Sequence, residues 1–204
     1  MGMSKEVSRF LRAPLFVFAL LVSGCSAAGV IVKFSPESKL RDAYDLFDYQ
    51  ARPLPAERFI REALETYEKR NDEIGVAEAY RAYGLFFRSP SIEKWQKTYE
   101  KYGFEDKSAT YATRFEKALG YFQKSEAIYK NHGRTDMLAN LHYHMAAAYE
   151  LLQKNSEACE HYRQGLIFIK QAQQEDPTKK YQMAKGYNSF DEFYGEQLKR
   201  LSCE

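Results

Sequence analysis

From about Leu40 almost to the end of the chain, apolar residues recur every three to four positions, the spacing that gathers them on one face of a helix. The stripes are short and come in pairs. Leu40, Ala43, Tyr44 and Phe47 form a first stripe, and Ala56, Ile60, Ala63 and Leu64 answer it. Tyr80, Tyr83, Gly84 and Phe87 are answered by Ala118, Phe122 and Ser125, with Glu126 standing in for an aliphatic residue. His142, Met145, Ala146 and Tyr149 are answered by Ala158, Tyr162, Gly165 and Leu166. Each pair predicts two helices that cross closely, with small residues where the backbones approach and large ones filling the gaps beside them. Ser35-Pro36-Glu37-Ser38 supplies the start signal of the first helix. A separate stripe of Phe190, Phe193, Tyr194, Leu198 and Leu201 predicts a terminal helix from Ser189 to Leu201. The fold class that follows is all-α, a stack of antiparallel helix pairs closed by a C-terminal capping helix.

The pairs recur at a period of about 40 residues, and a fixed period of this size is the signature of a repeat architecture. The positions of the bulky, small and aromatic residues in each pair resemble the tetratricopeptide repeat over roughly residues 37–172, within a repeat region of 37–174. Tyr44 stands where that family has Gly or Ala, and Lys170 where it has Pro. The resemblance implies a right-handed solenoid. It further implies a concave groove lined by the first helix of each pair. The matching positions are Arg41, Asp45 and Asp48, then Glu78, Arg81, Leu85 and Arg88, then Asn140, Tyr143, Ala147, Glu150 and Leu151. Arg41, Arg81 and Arg88 are suited to gripping carboxylates in two-pronged fashion, and Tyr143 offers an amphipathic platform.

The repeat frame slips by roughly 22 residues between Phe87 and Ala118, which places an insertion at about 88–111. It carries its own helical stripe of Ile92, Trp95, Tyr99, Tyr102 and Phe104, with Ser91 as candidate cap. Two readings stand side by side. The insertion is either a pad packed on the helical core or a protrusion that binds a partner, because Trp and Tyr dominate interface hot spots.

Composition locates the charge. The formal net charge is +2, and Lys5, Arg9 and Arg12 against Glu6 account for all of it. The remainder is neutral, so no argument for nucleic-acid binding can be made. A mean hydropathy of −0.59 excludes a multi-span membrane protein. Residues 1–24 pair that basic start with the apolar run Leu15 to Val22, too short to span a bilayer, and read as a signal peptide. Val22-Ser23-Gly24-Cys25 resembles the bacterial lipobox, which implies lipidation of the Cys25 thiol, cleavage before it and acylation of the new amino terminus. Residues 25–36 are then a lipidated tether to the membrane. Ser26 in place of Asp favours the outer membrane, facing the periplasm, for a Gram-negative source.

Three cysteines are present, and lipidation consumes Cys25. In an oxidising compartment the other two permit one intramolecular bridge, Cys159–Cys203, the alternative being two separate thiols. The terminal segment 175–204 brings Cys203 back toward the stack, with Phe190, Phe193 and Leu201 expected against the last repeat helix.

The sequence contains no HExxH, GxSxG, GxGxxG or phosphate-binding loop. The acidic pairs Asp45/Asp48 and Asp191/Glu192 and the four histidines fit solvated or packed helix faces. The expectation is a non-catalytic lipoprotein with no cofactor or metal. It binds a protein or peptide in the periplasm as a scaffold or assembly factor. The second expectation is an immunity lipoprotein that neutralises a toxic effector delivered to the periplasm.

Overall fold

The computed structural model describes residues 35–203, and the leader, the lipobox and Cys25 lie outside the described residues. Within these bounds the chain is helical, without strands. The helices are α1 (Pro36–Tyr44), α2 (Pro53–Lys69), α3 (Glu73–Arg88), α4 (Pro90–Lys94), α5 (Gln96–Tyr102), α6 (Arg114–Asn131), α7 (Thr135–Leu151), α8 (Asn155–Glu175) and α9 (Phe190–Arg200). A π-helical turn, Asp45–Tyr49, extends α1. Packing follows chain order: α1 on α2, α2 on α3, α6 on α7, α7 on α8, α8 on α9. The insertion interrupts this order only in sequence, because α3 packs on α6 across it.

Local chemistry explains the boundaries. Ser35 caps α1 by accepting from Ser38 N at 3.2 Å, and Pro36 occupies the first turn, where its missing N–H costs nothing. Asp72 caps α3 through Gly75 N at 2.9 Å, and Ser189 caps α9 through Glu192 N at 3.1 Å. In the insertion the cap is Ser89, one turn-start earlier than Ser91: its hydroxyl accepts from Ser91 N at 3.2 Å, with Pro90 inside the first turn. Four helices end alike. The chain turns left-handed at Asn71, Gly133, Gln153 and Ser202. The next amide then bonds back to Tyr67, Tyr129, Tyr149 and Leu198, respectively, at 2.9–3.0 Å. This closes the end of each helix by a single recurring hydrogen-bond pattern.

The core is built on large rings received by small residues. Tyr67 lies over Gly75, Phe122 over Gly84 and Tyr194 over Gly165, and in each case a Cβ on the glycine would collide with the ring. Ala43, Ala56, Ala63, Ala118 and Ala146 are fully buried at the helix contacts. One large cluster runs from α1 to α7, and a smaller one joins α7, α8 and α9 around Tyr162 and Tyr194. The deepest anchor of α9 is thus Tyr194, whose hydroxyl donates to Ala139 O at 3.3 Å. Phe190, Phe193 and Leu201 pack half-buried around it. The sulfurs of Cys159 and Cys203 stand at disulfide distance, with a Cα–Cα separation of 5.7 Å, and tie the C-terminus to α8. The loop so closed spans 44 residues, worth about 4 kcal/mol in the chain-entropy account.

The insertion belongs to the core. Ile92, Tyr99 and Phe104 are fully buried, and the Tyr99 and Phe104 rings stack at 4.1 Å beside Phe86 and Phe87. Of the two readings of Ile92, Trp95, Tyr99, Tyr102 and Phe104, this packing fits the pad on the helical core rather than the protrusion. Side chains with no solvent exposure have no face to offer a partner. Trp95 is half-buried, and only Tyr102, 67 % exposed, projects into solvent.

Candidate partner-binding groove

The π-turn after α1, the C-terminal half of α3 and the C-terminal half of α7 line an open cavity of about 1040 Å³. Asp48, Arg81, Leu85, Arg88, Ala147, Glu150 and Leu151, all expected on the groove, face it together. The rest of the expected strip is divided off. Arg41, Asp45 and Glu78 line a mostly apolar cavity of about 470 Å³ beside α1, separated from the first by the shared wall of Tyr44 and Tyr49. Asn140 and Tyr143 line a third, of about 330 Å³, against the C-terminal loop and α9, with Gln182 at its border with the main cavity. The Tyr143 ring is taken by Phe193 and Tyr162, at 5.4 and 5.9 Å, so it packs rather than serving as a bare platform. The C-terminal segment walls off this third cavity, and its path is not written in the repeat pattern.

The charged groups of the main cavity differ in how fully they are satisfied. Arg81 donates to Glu78 at 2.8 Å, is only 18 % exposed and lies 5.6 Å above the Tyr44 ring. It is a packed ion pair rather than a free groove charge. Glu150 receives both Arg200 amino groups, at 2.6 and 2.7 Å, and the Tyr162 hydroxyl at 2.5 Å. Glu93 faces Arg114 at 3.5 Å. Arg88 reaches Nδ1 of His144 at 3.1 Å. A guanidinium only donates, so His144 accepts there and carries its proton on Nε2. Burial, and then the neighbouring Arg88 and Arg81, hold the His144 imidazole neutral, well below its usual titration range. Burial also lowers Arg88 and raises Asp48, the latter opposed by the Arg88 charge.

Sequence reasoning missed the wall residues Tyr44, Tyr49, Ser89, Pro90, Glu93, His144 and Gln182. Tyr49 is 84 % exposed at the mouth of the cavity, and Leu151 is 44 % exposed on the α7 side. A π-turn carries one residue more per turn than an α-helix, and such turns recur at functional sites. The chain leaves the turn through the left-handed Ala51, and Arg52 N bonds back to Leu46 O at 2.8 Å. The insertion holds this turn in place. Trp95 Nε1 donates to Ala51 O at 2.9 Å, and Ser89 Oγ to Phe47 O at 3.3 Å. The insertion itself is fastened by Glu57, a carboxylate only 1 % exposed that accepts from Glu105 N at 2.7 Å and Asp106 N at 3.3 Å. Burial pushes Glu57 up to about 7 despite those hydrogen bonds. An acid on the Ala56–Ile60–Ala63 face of α2 was the available sequence signal for it.

The histidines satisfy one another and nearby acids. His142 meets Glu126 at 3.1 Å and His161 at 2.9 Å, the latter through Nδ1 of both rings, which must share one proton. His132 meets Glu73 at 2.6 Å. Among the described residues no group of three or more His, Cys, Asp or Glu side chains is arranged to hold a metal ion, and no helix is long and apolar enough to cross a membrane. The chain matches no family model, no curated protein and no solved structure.

Proposed function

We propose that this protein is a lipoprotein anchored through Cys25 to the outer membrane, and that its helical domain binds a protein partner in the periplasm as a scaffold or assembly factor. On this reading the helix pairs form a right-handed, tetratricopeptide-like stack, and the partner enters the face made by α1, α3 and α7. The observation that carries the reading is the open cavity of about 1040 Å³, lined by exposed Tyr49 and Leu151 together with Arg88. Aromatic side chains and arginines clustered in a concave surface are the usual energetic anchors of protein recognition. The neutral charge of the chain beyond its leader favours a protein over a nucleic acid.

Two measurements test it. Cys25→Ser should leave unprocessed precursor or soluble material, and mature Cys25→Ser protein still in the membrane fraction refutes the anchor. Pull-down of the lipidated protein from its native envelope, followed by mass spectrometry, should yield a partner that an Ala147→Trp variant fails to retain. Ala147 is half-buried in the cavity wall, so an indole there fills the groove. Equal recovery with Ala147→Trp rejects the groove as the binding surface. A toxic effector as the captured protein identifies the role as immunity rather than assembly.

A further inference from the structure

Resting on that groove reading, we infer that the groove is a seat for a polypeptide segment carrying both an acidic and a basic side chain, the acid taken by Arg88 and the base by Asp48. Among the charged side chains of the cavity, three of the five are occupied. Arg81 is paired with Glu78, Glu150 with Arg200, and Glu93 with Arg114, at 2.8, 2.6 and 3.5 Å. Arg88 and Asp48 remain. They line the same cavity, yet no carboxylate among the described residues comes within 4.0 Å of the Arg88 guanidinium, and no cation within 4.0 Å of the Asp48 carboxylate. The hydrogen bond that Arg88 makes is to a neutral imidazole, which accepts one N–H and neutralises no charge.

The position of each group is built rather than accidental. Arg88 ends α3, where the helix dipole favours a cation and the bond to His144 aims its guanidinium. His144 is in turn stacked on Phe122, with ring centroids 6.2 Å apart. Asp48 sits on the π-turn that Trp95 and Ser89 clamp through backbone carbonyls. Arg88 is half-buried and Asp48 exposed at the mouth of the same cavity, and without a direct ion pair their mutual attraction only partly offsets the hydration that burial takes from Arg88. A partner that brings the complementary pair satisfies both groups at once. A partner of one sign satisfies one group and repels the other, so the arrangement selects against purely acidic and purely basic segments. Tyr49 and Leu151 at the rim supply apolar contact between or beside the two charges.

The test is panning of a random peptide library on the full lipidated chain in detergent micelles. Enriched peptides should carry an acidic and a basic residue at fixed spacing. Arg88→Glu and Asp48→Lys should each lower the affinity of those peptides tenfold or more. The double variant Arg88→Glu/Asp48→Lys should instead prefer the same peptides with the two charges exchanged. Each variant is first checked for an unchanged thermal midpoint. Arg88→Met and Asp48→Asn replace the reversals if either reversal fails to fold. Peptides that Ala147→Trp abolishes, but that ignore the changes at Arg88 and Asp48, overturn this inference and leave the groove reading standing. Peptides indifferent to Ala147→Trp, or no enriched peptide at all, overturn both.

Discussion

The insertion and the end of α3 adjoin in sequence and are alike in composition, both rich in aromatic and charged residues, but most of the insertion's apolar side chains pack inward while the end of α3 lines an open cavity. In the insertion, Ile92, Tyr99 and Phe104 are sunk among Phe86 and Phe87, and Trp95 spends its indole N–H on the backbone of the π-turn. Along α3, Leu85 and Arg88 look into open space. Residue type alone therefore does not separate a contact surface from a structural pad. What separates them is whether neighbouring elements already fill the side chain's surroundings. The two regions are also coupled, because the pad steadies the turn that presents Asp48 and Tyr49.

The comparison breaks first on stability. Phe104→Ala should cost about 3–5 kcal/mol in denaturant unfolding, the range for a buried ring removed from a packed core. Leu85→Ala, on the half-buried groove wall, should cost clearly less. Equal midpoints for both variants would return the insertion to the surface.

The buried Glu57 gives the next largest effect, and it has a sign. Its folded pKa, about 7, lies above the ordinary 4.5. The folded state therefore holds its proton where the unfolded chain has released it. The contribution of Glu57 to stability is fully present below pH 4.5 and is lost as pH rises toward 7. The difference between the wild type and Glu57→Gln should shift by about 3 kcal/mol over that window, 1.36 kcal/mol per pKa unit, to the disadvantage of the wild type. A difference that stays flat from pH 4.5 to 7 removes the buried-acid clamp from this account.

Binding sharpens the contrast further. Tyr49→Ala should weaken the captured partner by about 2 kcal/mol, roughly thirtyfold, as hot-spot truncations do. Its stability should change by no more than about 0.5 kcal/mol. Tyr102→Ala, equally exposed in kind but on the insertion, should alter neither; loss of partner with Tyr102→Ala and not Tyr49→Ala reverses the assignment of surfaces.

The smallest expected effect tests the coupling. Trp95→Phe keeps an aromatic ring, though a smaller one, but removes the donor to Ala51 O, and the lost hydrogen bond costs about 1 kcal/mol. Hydrogen exchange should quicken at Gln50 and Arg52, whose amides close the π-turn onto Asp45 O and Leu46 O. Unchanged exchange at both amides means that the turn holds without the insertion.

Much of the helical framework was legible along the chain. Ala43, Ala56, Ile60, Ala63, Ala118 and Ala146 repeat at helical spacing, and burial at these positions follows from the requirement that each helix hide one face. Gly84 was legible as a close crossing for the same reason, and Phe122 fills it. The Cys159–Cys203 pair was expected only if Cys25 carries a lipid, with two separate thiols as the alternative, and the two sulfurs do stand at disulfide distance. The site was half legible. The tetratricopeptide-like resemblance implied a groove holding Arg81, Leu85, Arg88, Ala147 and Leu151, and those do meet in one cavity. It also named Arg41 and Tyr143, which the walls of Tyr44, Tyr49 and Gln182 place in other cavities.

The sequence by itself determined that the chain is helical, which residues turn inward and where the first and last helices start, because these depend on local propensity and periodicity. Only the tertiary structure decided that Arg81 is consumed by Glu78 while Arg88 is not, that the insertion folds inward, and that a π-turn sets Asp48 at the groove. Those outcomes rest on contacts between residues far apart in the chain, such as Trp95 with Ala51, Arg200 with Glu150 and Glu57 with Glu105. Periodicity along one helix carries no information about which distant group will satisfy a charge or fill a space. That choice is made only when the elements pack and each buried polar group must find its partner.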